Sequence, residues 1–166
     1  MVALPYWAAQ VLSPVSPKSG QGRDQTMEAS AILQPVIVMG LLSTAMFVWM
    51  LATRIPAMTK LKISPQKAQN TSALIDLLPA EVTRVSNNYN HLFEQPTLFY
   101  AVAISLAVLG HVDSLHVQCA WAFATIRIVH SVVQATVDNV NVRFGLFLLS
   151  WIALGTMIVR EALIIF

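Results

Sequence analysis

The sequence predicts an all-α integral membrane protein built as a bundle of four helices. Hydrophobic residues make up 56% of its 166 residues and charged residues only 11%, whereas a soluble globular domain carries about 25% charged residues. The mean hydropathy is +0.64, so the chain has too few charges to cover a water-facing surface. The net charge is only +2, and we therefore expect no nucleic-acid partner.

Four stretches with few or no charged residues are long enough to cross a bilayer, which takes about 20 apolar residues. They predict spans at about 29–53, 80–110, 114–137 and 143–164. Because nothing in hydrocarbon satisfies free backbone groups, each span is expected to be a helix. Pro79 and Glu81 mark the start of the second helix, since proline and acids are favoured in a first turn. Short links at 110–113 and 138–142 predict antiparallel neighbours.

The first 26 residues do not fit this plan. They contain several prolines and lack a basic start before an apolar run, which argues against a signal peptide. We expect residues 1–26 to form a disordered tail, or else translation to start at Met27, directly before the first span. The four-span domain would then occupy residues 27–166.

The distribution of basic residues predicts the orientation in the membrane. The first loop and its borders carry Arg54, Lys60, Lys62, Lys67 and Arg84. The link at 110–113 carries no basic residue other than histidine. Because lysine and arginine are enriched in cytoplasmic loops, the first loop is expected to be cytoplasmic and both termini to lie on the opposite side.

Polar residues repeat at helical spacing in the halves of the helices that would face the cytoplasm. The second predicted helix carries Arg84, Asn87, Asn88, His91 and Glu94, and the third carries Arg127, His130, Ser131 and Gln134. Arg54 ends the first span and Arg143 begins the fourth. Spacings of three or four residues place side chains on one face of a helix. Ionisable groups at membrane depth are costly, so these stripes indicate a functional site.

Positive charge is expected to be in excess in this half of the membrane. A purely structural alternative is that Glu94, expected to be buried, pairs with Arg127. That pair would leave the arginines of the first, second and fourth helices without an acid, because the remaining acids, Asp138 among them, lie in predicted loops. The surplus predicts a small anionic ligand.

The histidines have simpler explanations than metal binding. His91 and His130 lie on the polar stripes and are expected to be hydrogen-bond partners, although together they could hold a haem as axial ligands. His111 lies in the link at 110–113 and His116 follows it, and both are expected to be solvated. We therefore predict no metal site.

Residues 84–100 (RVSNNYNHLFEQPTLFY) and residues 127–144 (RIVHSVVQATVDNVNVRF) form two motifs in order within a four-span chain. The first resembles the second-helix motif of the MAPEG family, the membrane-associated proteins in eicosanoid and glutathione metabolism. The second resembles the third helix of that family and the start of its fourth. The resemblance covers about residues 29–164. It implies a homotrimer of four-helix bundles that binds glutathione where subunits meet. It also implies that glutathione is used as a co-substrate on lipophilic electrophiles or lipid hydroperoxides.

The same resemblance assigns roles to individual residues. Arg143 matches the arginine that stabilises the glutathione thiolate, and Glu94 matches the glutamate that binds the glutathione amino group. The other expected glutathione contacts are Arg54, Arg84, Asn88, Asn90, His91, Arg127 and His130. The lipophilic co-substrate is expected to enter from the membrane lipid.

The chain departs from the family pattern at several positions. His91 stands where an asparagine is usual, Gln134 and Phe147 stand where tyrosines often contact glutathione, and Phe144 replaces a common serine. These departures favour an alternative function, that of a non-catalytic membrane protein that binds lipid or acts as a scaffold. The retained arginine and glutamate favour a glutathione transferase or peroxidase, so the sequence leaves both functions open.

Overall fold

The computed structural model of the chain describes residues 21–64, 66 and 77–166. Its helices are α1 (Gln21–Lys60), α2 (Ala80–His91), α3 (Gln95–Leu109), α4 (Ser114–Ala135) and α5 (Val140–Ile165). These described ranges contain no strand. The prediction of an all-α protein is confirmed.

Three helical stretches are long and apolar enough to cross a bilayer, namely Ala29–Lys60, Ala80–Leu109 and Val140–Ile165. They support the prediction of an integral membrane protein. Helix α4, the third predicted span, has 22 residues and is not among them. Its Arg127, His130 and Gln134 lower its hydropathy, and all three are buried against the other helices. Polar residues in a spanning helix normally face the bundle interior in this way.

Helix α1 extends beyond the predicted first span at both ends. It begins at Gln21 and includes the last residues of the predicted tail, since no proline lies between Gln21 and the span. It continues past Pro56 to Lys60, and prolines are tolerated inside membrane helices. The part of the predicted tail before Gln21 lies outside the described residues, as does Lys67.

The predicted second helix is divided in two. Helix α2 ends at His91, α3 begins at Gln95, and the residues between them form a turn. Pro96 has no backbone N–H, so it cannot bond to the carbonyl of Leu92 four residues earlier. The prediction of one continuous helix over 80–110 is therefore wrong at this point. Pro96 instead occupies the first turn of α3, where a proline is favoured.

Helices α4 and α5 pack along each other, and α1 contacts α2, α3 and α4. Buried apolar side chains fill the space between them, among them Ile32, Met39, Phe99, Leu106, Phe123, Leu154 and Met157. The rings of Phe99 and Phe123 stack with 4.3 Å between centroids. We call the end where α2 begins and α4 runs into α5 the site end. The far end is the one where α3 runs into α4 and α5 terminates.

The far end contains a polar cluster that the sequence analysis did not anticipate. His116 is only 1% exposed, and Nδ1 of His111 lies 2.8 Å from Oε1 of Glu161. Asp113 caps α4 by accepting the backbone N–H of His116 at 2.9 Å, and it also forms an ion pair with Arg160. The expectation that His116 is solvated is wrong. His111 is 35% exposed and is held by Glu161 from the last turns of α5.

The far-end cluster makes stability depend on pH. Burial alone would raise the pKa of Asp113, but the hydrogen bond from the His116 N–H and the positive charge of Arg160 outweigh it and hold this pKa below its usual value. A carboxylate with a lowered folded-state pKa stabilises the protein above its unfolded pKa of about 3.9, and this contribution is lost as the pH falls through the folded-state value.

We expect the thermal midpoint of the detergent-purified protein to fall more steeply below about pH 4 than that of Asp113→Asn. Asparagine retains the helix cap but cannot titrate. The difference between the two pH profiles isolates this carboxylate from the other acids. Parallel profiles down to the lowest pH would show that Asp113 carries no such contribution.

Candidate functional site

A pocket of about 250 Å³ opens at the site end between α2, α4 and α5. Its walls are formed by His91, His130, Val140, Arg143, Phe144 and Phe147. The imidazole rings of His91 and His130 lie 5.2 Å apart between centroids, and the ring of Phe147 stacks on His91 at 5.8 Å. Three of the predicted site residues, His91, His130 and Arg143, therefore share one cavity with an aromatic wall.

Arg143 reaches the pocket from the first turn of α5. Asn139 starts this helix by accepting the N–H groups of Asn141 and Val142 at 3.1 and 3.2 Å. The guanidinium Nη1 of Arg143 donates to Oδ1 of Asp138 at 2.5 Å. The expectation that Arg143 has no acid nearby is wrong. Asp138 lies in the link before α5 with a left-handed backbone (φ 56°), and its carboxylate contacts the first turn of that helix.

Glu94 lies at the turn between α2 and α3, and its side chain is 66% exposed in the protomer. Its Oε2 lies 2.6 Å from Nδ1 of His91. The expectation of a buried Glu94 and the alternative pairing with Arg127 are both wrong, because the helix break turns this side chain outward. Glu94 is thus accessible at the edge of the pocket and holds the imidazole of His91.

Arg127 is fully buried, with 0% of its surface exposed. Its Nη2 donates to the backbone carbonyl of His91 at 3.1 Å, and its Nη1 makes a longer contact of 3.5 Å with Oε1 of Gln95. The hydroxyl of Ser150 donates to the same Gln95 oxygen at 2.9 Å. This network joins α2, α3, α4 and α5 around the helix break. Arg127 does not line the pocket.

The other predicted contacts are spread around the site end. Nη1 of Arg84 donates to the carbonyl of Thr136 at 2.6 Å and so ties α2 to the end of α4. Asn88 is fully buried, whereas Asn90 is exposed. Arg54 is half-buried on α1, a helix that contributes no residue to the pocket.

Two residues of the pocket wall carry a buried polar atom with no hydrogen-bond partner among the described residues, Nδ1 of His130 and Nε of Arg143. Oγ of Ser131, Oε1 of Gln134 and both amide atoms of Asn88 are also without a partner there, but these residues do not line the pocket. Buried polar groups normally find a partner in protein, water or ligand. The guanidinium and the imidazoles make the pocket suited to a small polar or anionic group placed beside an apolar one.

Metal binding has little support in the described part of the chain. No group of three or more His, Cys, Asp and Glu side chains is arranged there to hold a metal ion. The rings of His91 and His130 contact each other at an angle of 49°, rather than facing each other across a porphyrin.

Sequence reasoning missed three residues that shape this site. Ser150 lies seven residues after Arg143, which is two helical turns and hence the same face, so spacing could have revealed it. Gln95 is next to Glu94 in the motif, but its role depends on the break. Asp138 lies in a turn and therefore has no periodic signal at all.

The model of the MAPEG family matches residues 32–163, which is most of the chain. The matched range includes every residue that lines the pocket. Comparisons with curated proteins and with solved structures find no match.

Replacing Arg127 with alanine should destabilise the folded protein by about 1–3 kcal/mol or more. The substitution removes the donors to His91 and Gln95, and an orphaned buried acceptor costs about that much before the new cavity is counted. Equilibrium unfolding in mixed micelles measures the change. Lys60→Ala, at an exposed position in the last turn of α1, is the control and should change stability by less than about 0.5 kcal/mol. Equal stabilities of both variants would contradict the role of Arg127.

Proposed function

The chain belongs to the MAPEG family, and on that basis we propose that it binds glutathione and uses it on lipophilic electrophiles or lipid hydroperoxides. The observation that carries this proposal is the pocket in which Arg143 lies beside two imidazoles and an aromatic wall. A cation next to an apolar surface suits a reaction between an anionic thiolate and a lipophilic partner.

Arg143 is the proposed catalytic residue. A free thiol has a pKa of about 8.5, so only a small fraction is ionised at neutral pH. A nearby guanidinium favours the thiolate, and lowering the pKa by about two units corresponds to about 2.7 kcal/mol. Arginine suits this role because it stays charged and presents a planar set of donors. The position of Arg143 near the N-terminus of α5 adds the positive end of the helix dipole.

The thiolate would attack the electrophilic carbon and form a carbon–sulfur bond as the leaving group departs. With a hydroperoxide it would attack a peroxide oxygen and break the O–O bond, giving a sulfenic acid and an alcohol. A second glutathione would then reduce the sulfenic acid, releasing water and the glutathione disulfide.

The remaining groups of glutathione require other partners. The exposed carboxylate of Glu94 is accessible to the ammonium group, and Arg54 and Arg84 are the proposed partners of the carboxylates. Arg127 is less suited to direct binding, because its side chain is buried and already donates to the helix break.

A homotrimer, as in the family, would complete this site. Helix α1 packs on α2, α3 and α4, whereas the pocket lies between α2, α4 and α5. In the proposed trimer, a ligand bound at Arg143 would meet Arg54 of a neighbouring protomer. With the first loop cytoplasmic, the site end faces the compartment with a reducing glutathione pool.

The alternative function is that of a non-catalytic membrane protein that binds lipid or acts as a scaffold. Val140, Phe144 and Phe147 make much of the pocket wall apolar. Gln134, where the family often has a tyrosine, is buried. Such a pocket can hold a lipid headgroup at Arg143 and an acyl chain along the aromatic rings.

Thermal denaturation of the detergent-purified protein separates the two functions. Millimolar glutathione should raise the midpoint, because a ligand that binds only the folded state stabilises it by about 2.7 kcal/mol at 100 times its dissociation constant. The tripeptide with alanine in place of cysteine is the control and should raise it less. A midpoint unchanged by glutathione but raised by lysophospholipid would favour the lipid-binding alternative.

Arg143→Ala should leave the assembled protein intact and lower glutathione-dependent turnover at pH 7 by roughly 25-fold. This factor is the change in thiolate fraction when the pKa of the bound thiol returns from about 6.5 to about 8.5. The pH–rate profile is the decisive measurement, because its acidic limb should move towards the pKa of free glutathione. Arg143→Lys should retain part of the effect. An unmoved profile in Arg143→Ala would contradict the assignment.

A further inference from the structure

We propose that Asp138 is the positioning residue of Arg143 and limits how strongly that guanidinium binds an anion in the pocket. Naming glutathione as the anion rests on the proposed function, whereas the positioning itself rests on geometry alone.

The ion pair lies at the rim of the pocket. Oδ1 of Asp138 is 2.5 Å from Nη1 of Arg143, and the two side chains are 31% and 27% exposed. The pair is therefore within reach of a ligand. The other titratable groups that line the pocket are His91, which bonds to Glu94, and His130. Among the described residues, Asp138 is thus the carboxylate that pairs with Arg143 and offsets its charge.

The carboxylate is held by the backbone of the link between α4 and α5. Asp138 adopts a left-handed conformation with φ of 56°, and its N–H donates to the carbonyl of Val133 at 2.8 Å. Aspartate and asparagine tolerate this conformation better than other non-glycine residues. The next residue, Asn139, caps α5 and accepts the N–H of Arg143 at 3.0 Å. Both members of the ion pair are therefore fixed to one short, hydrogen-bonded segment.

The position of Arg143 explains why it needs a counter-charge. The N-terminal turn of a helix favours negative groups and disfavours cations. The carboxylate of Asp138 offsets this, and it also orients the guanidinium towards the pocket. An anion that binds Nη1 must share or displace the carboxylate. Asp138 thus lowers the affinity of Arg143 for an anion and also fixes the position of its guanidinium.

Asp138→Asn tests the positioning without any ligand. Asparagine keeps the size and tolerates the left-handed backbone, but it removes the charge. Phenylglyoxal modifies accessible arginines, and peptide mass spectrometry reports the rate at each site. The rate at Arg143 should rise several-fold, while Arg160, paired with Asp113, serves as the internal reference. An unchanged rate at Arg143 would overturn the proposal whether or not glutathione binds.

The same variant tests the limit on anion affinity. Asp138→Asn should bind glutathione about fivefold more tightly, the factor expected when one exposed ion pair no longer competes. The ultraviolet absorbance of the bound thiolate should develop at lower pH than in the unmodified sequence. Asp113→Asn removes an equivalent carboxylate at the far end and should bind glutathione unchanged.

If Asp138→Asn bound glutathione no more tightly than the unmodified sequence while Asp113→Asn bound it normally, the proposed competition between the Asp138 carboxylate and the anion would be wrong. A different outcome is also informative: phenylglyoxal could modify Arg143 faster in Asp138→Asn while neither the unmodified sequence nor either variant binds glutathione. This result would overturn the proposed function and uphold the positioning role of Asp138.

Discussion

The hydrogen bond from the buried guanidinium of Arg127 to the backbone carbonyl of His91 supports the architecture of the site end. Pro96 prevents a continuous helix, so a break in the backbone must be accommodated inside an apolar bundle. Backbone groups freed in such an environment require a partner. Arg127 supplies one at 3.1 Å, although an arginine near the centre of a spanning helix costs about 2.5–3.5 kcal/mol on insertion scales. The break gives this buried cation a hydrogen-bonded structural role.

The helix break also determines how His91 and Glu94 are placed at the pocket. It ends α2 at His91, whose ring lies against His130 and Phe147. It also turns Glu94 outward, where its carboxylate holds the same imidazole. Arg127 on the polar face of α4 thus finds its hydrogen-bond acceptor at the interruption of the neighbouring helix.

Helix α5 has an arginine near each end, and each pairs with an acid in the link that precedes or faces it. Arg143 pairs with Asp138 at the site end, and Arg160 pairs with Asp113 at the far end. The two pairs differ in their surroundings. The pair at the site end borders histidines and aromatic rings, so the guanidinium of Arg143 shares one pocket with two imidazoles and an apolar wall. The matching pair at the far end provides a natural internal comparison.

The sequence by itself determined the all-helical architecture, its membrane character and the stripe that joins Arg127, His130 and Gln134. These follow from hydropathy and from the period of the helix, which are local properties of the chain. Only the tertiary structure decided that Asp138 neutralises Arg143, that Glu94 points outward and that His116 is buried. Ion pairs and burial depend on how turns and distant helices meet, and neither a left-handed turn nor a contact across 47 residues, as between Asp113 and Arg160, leaves a periodic signal in the sequence.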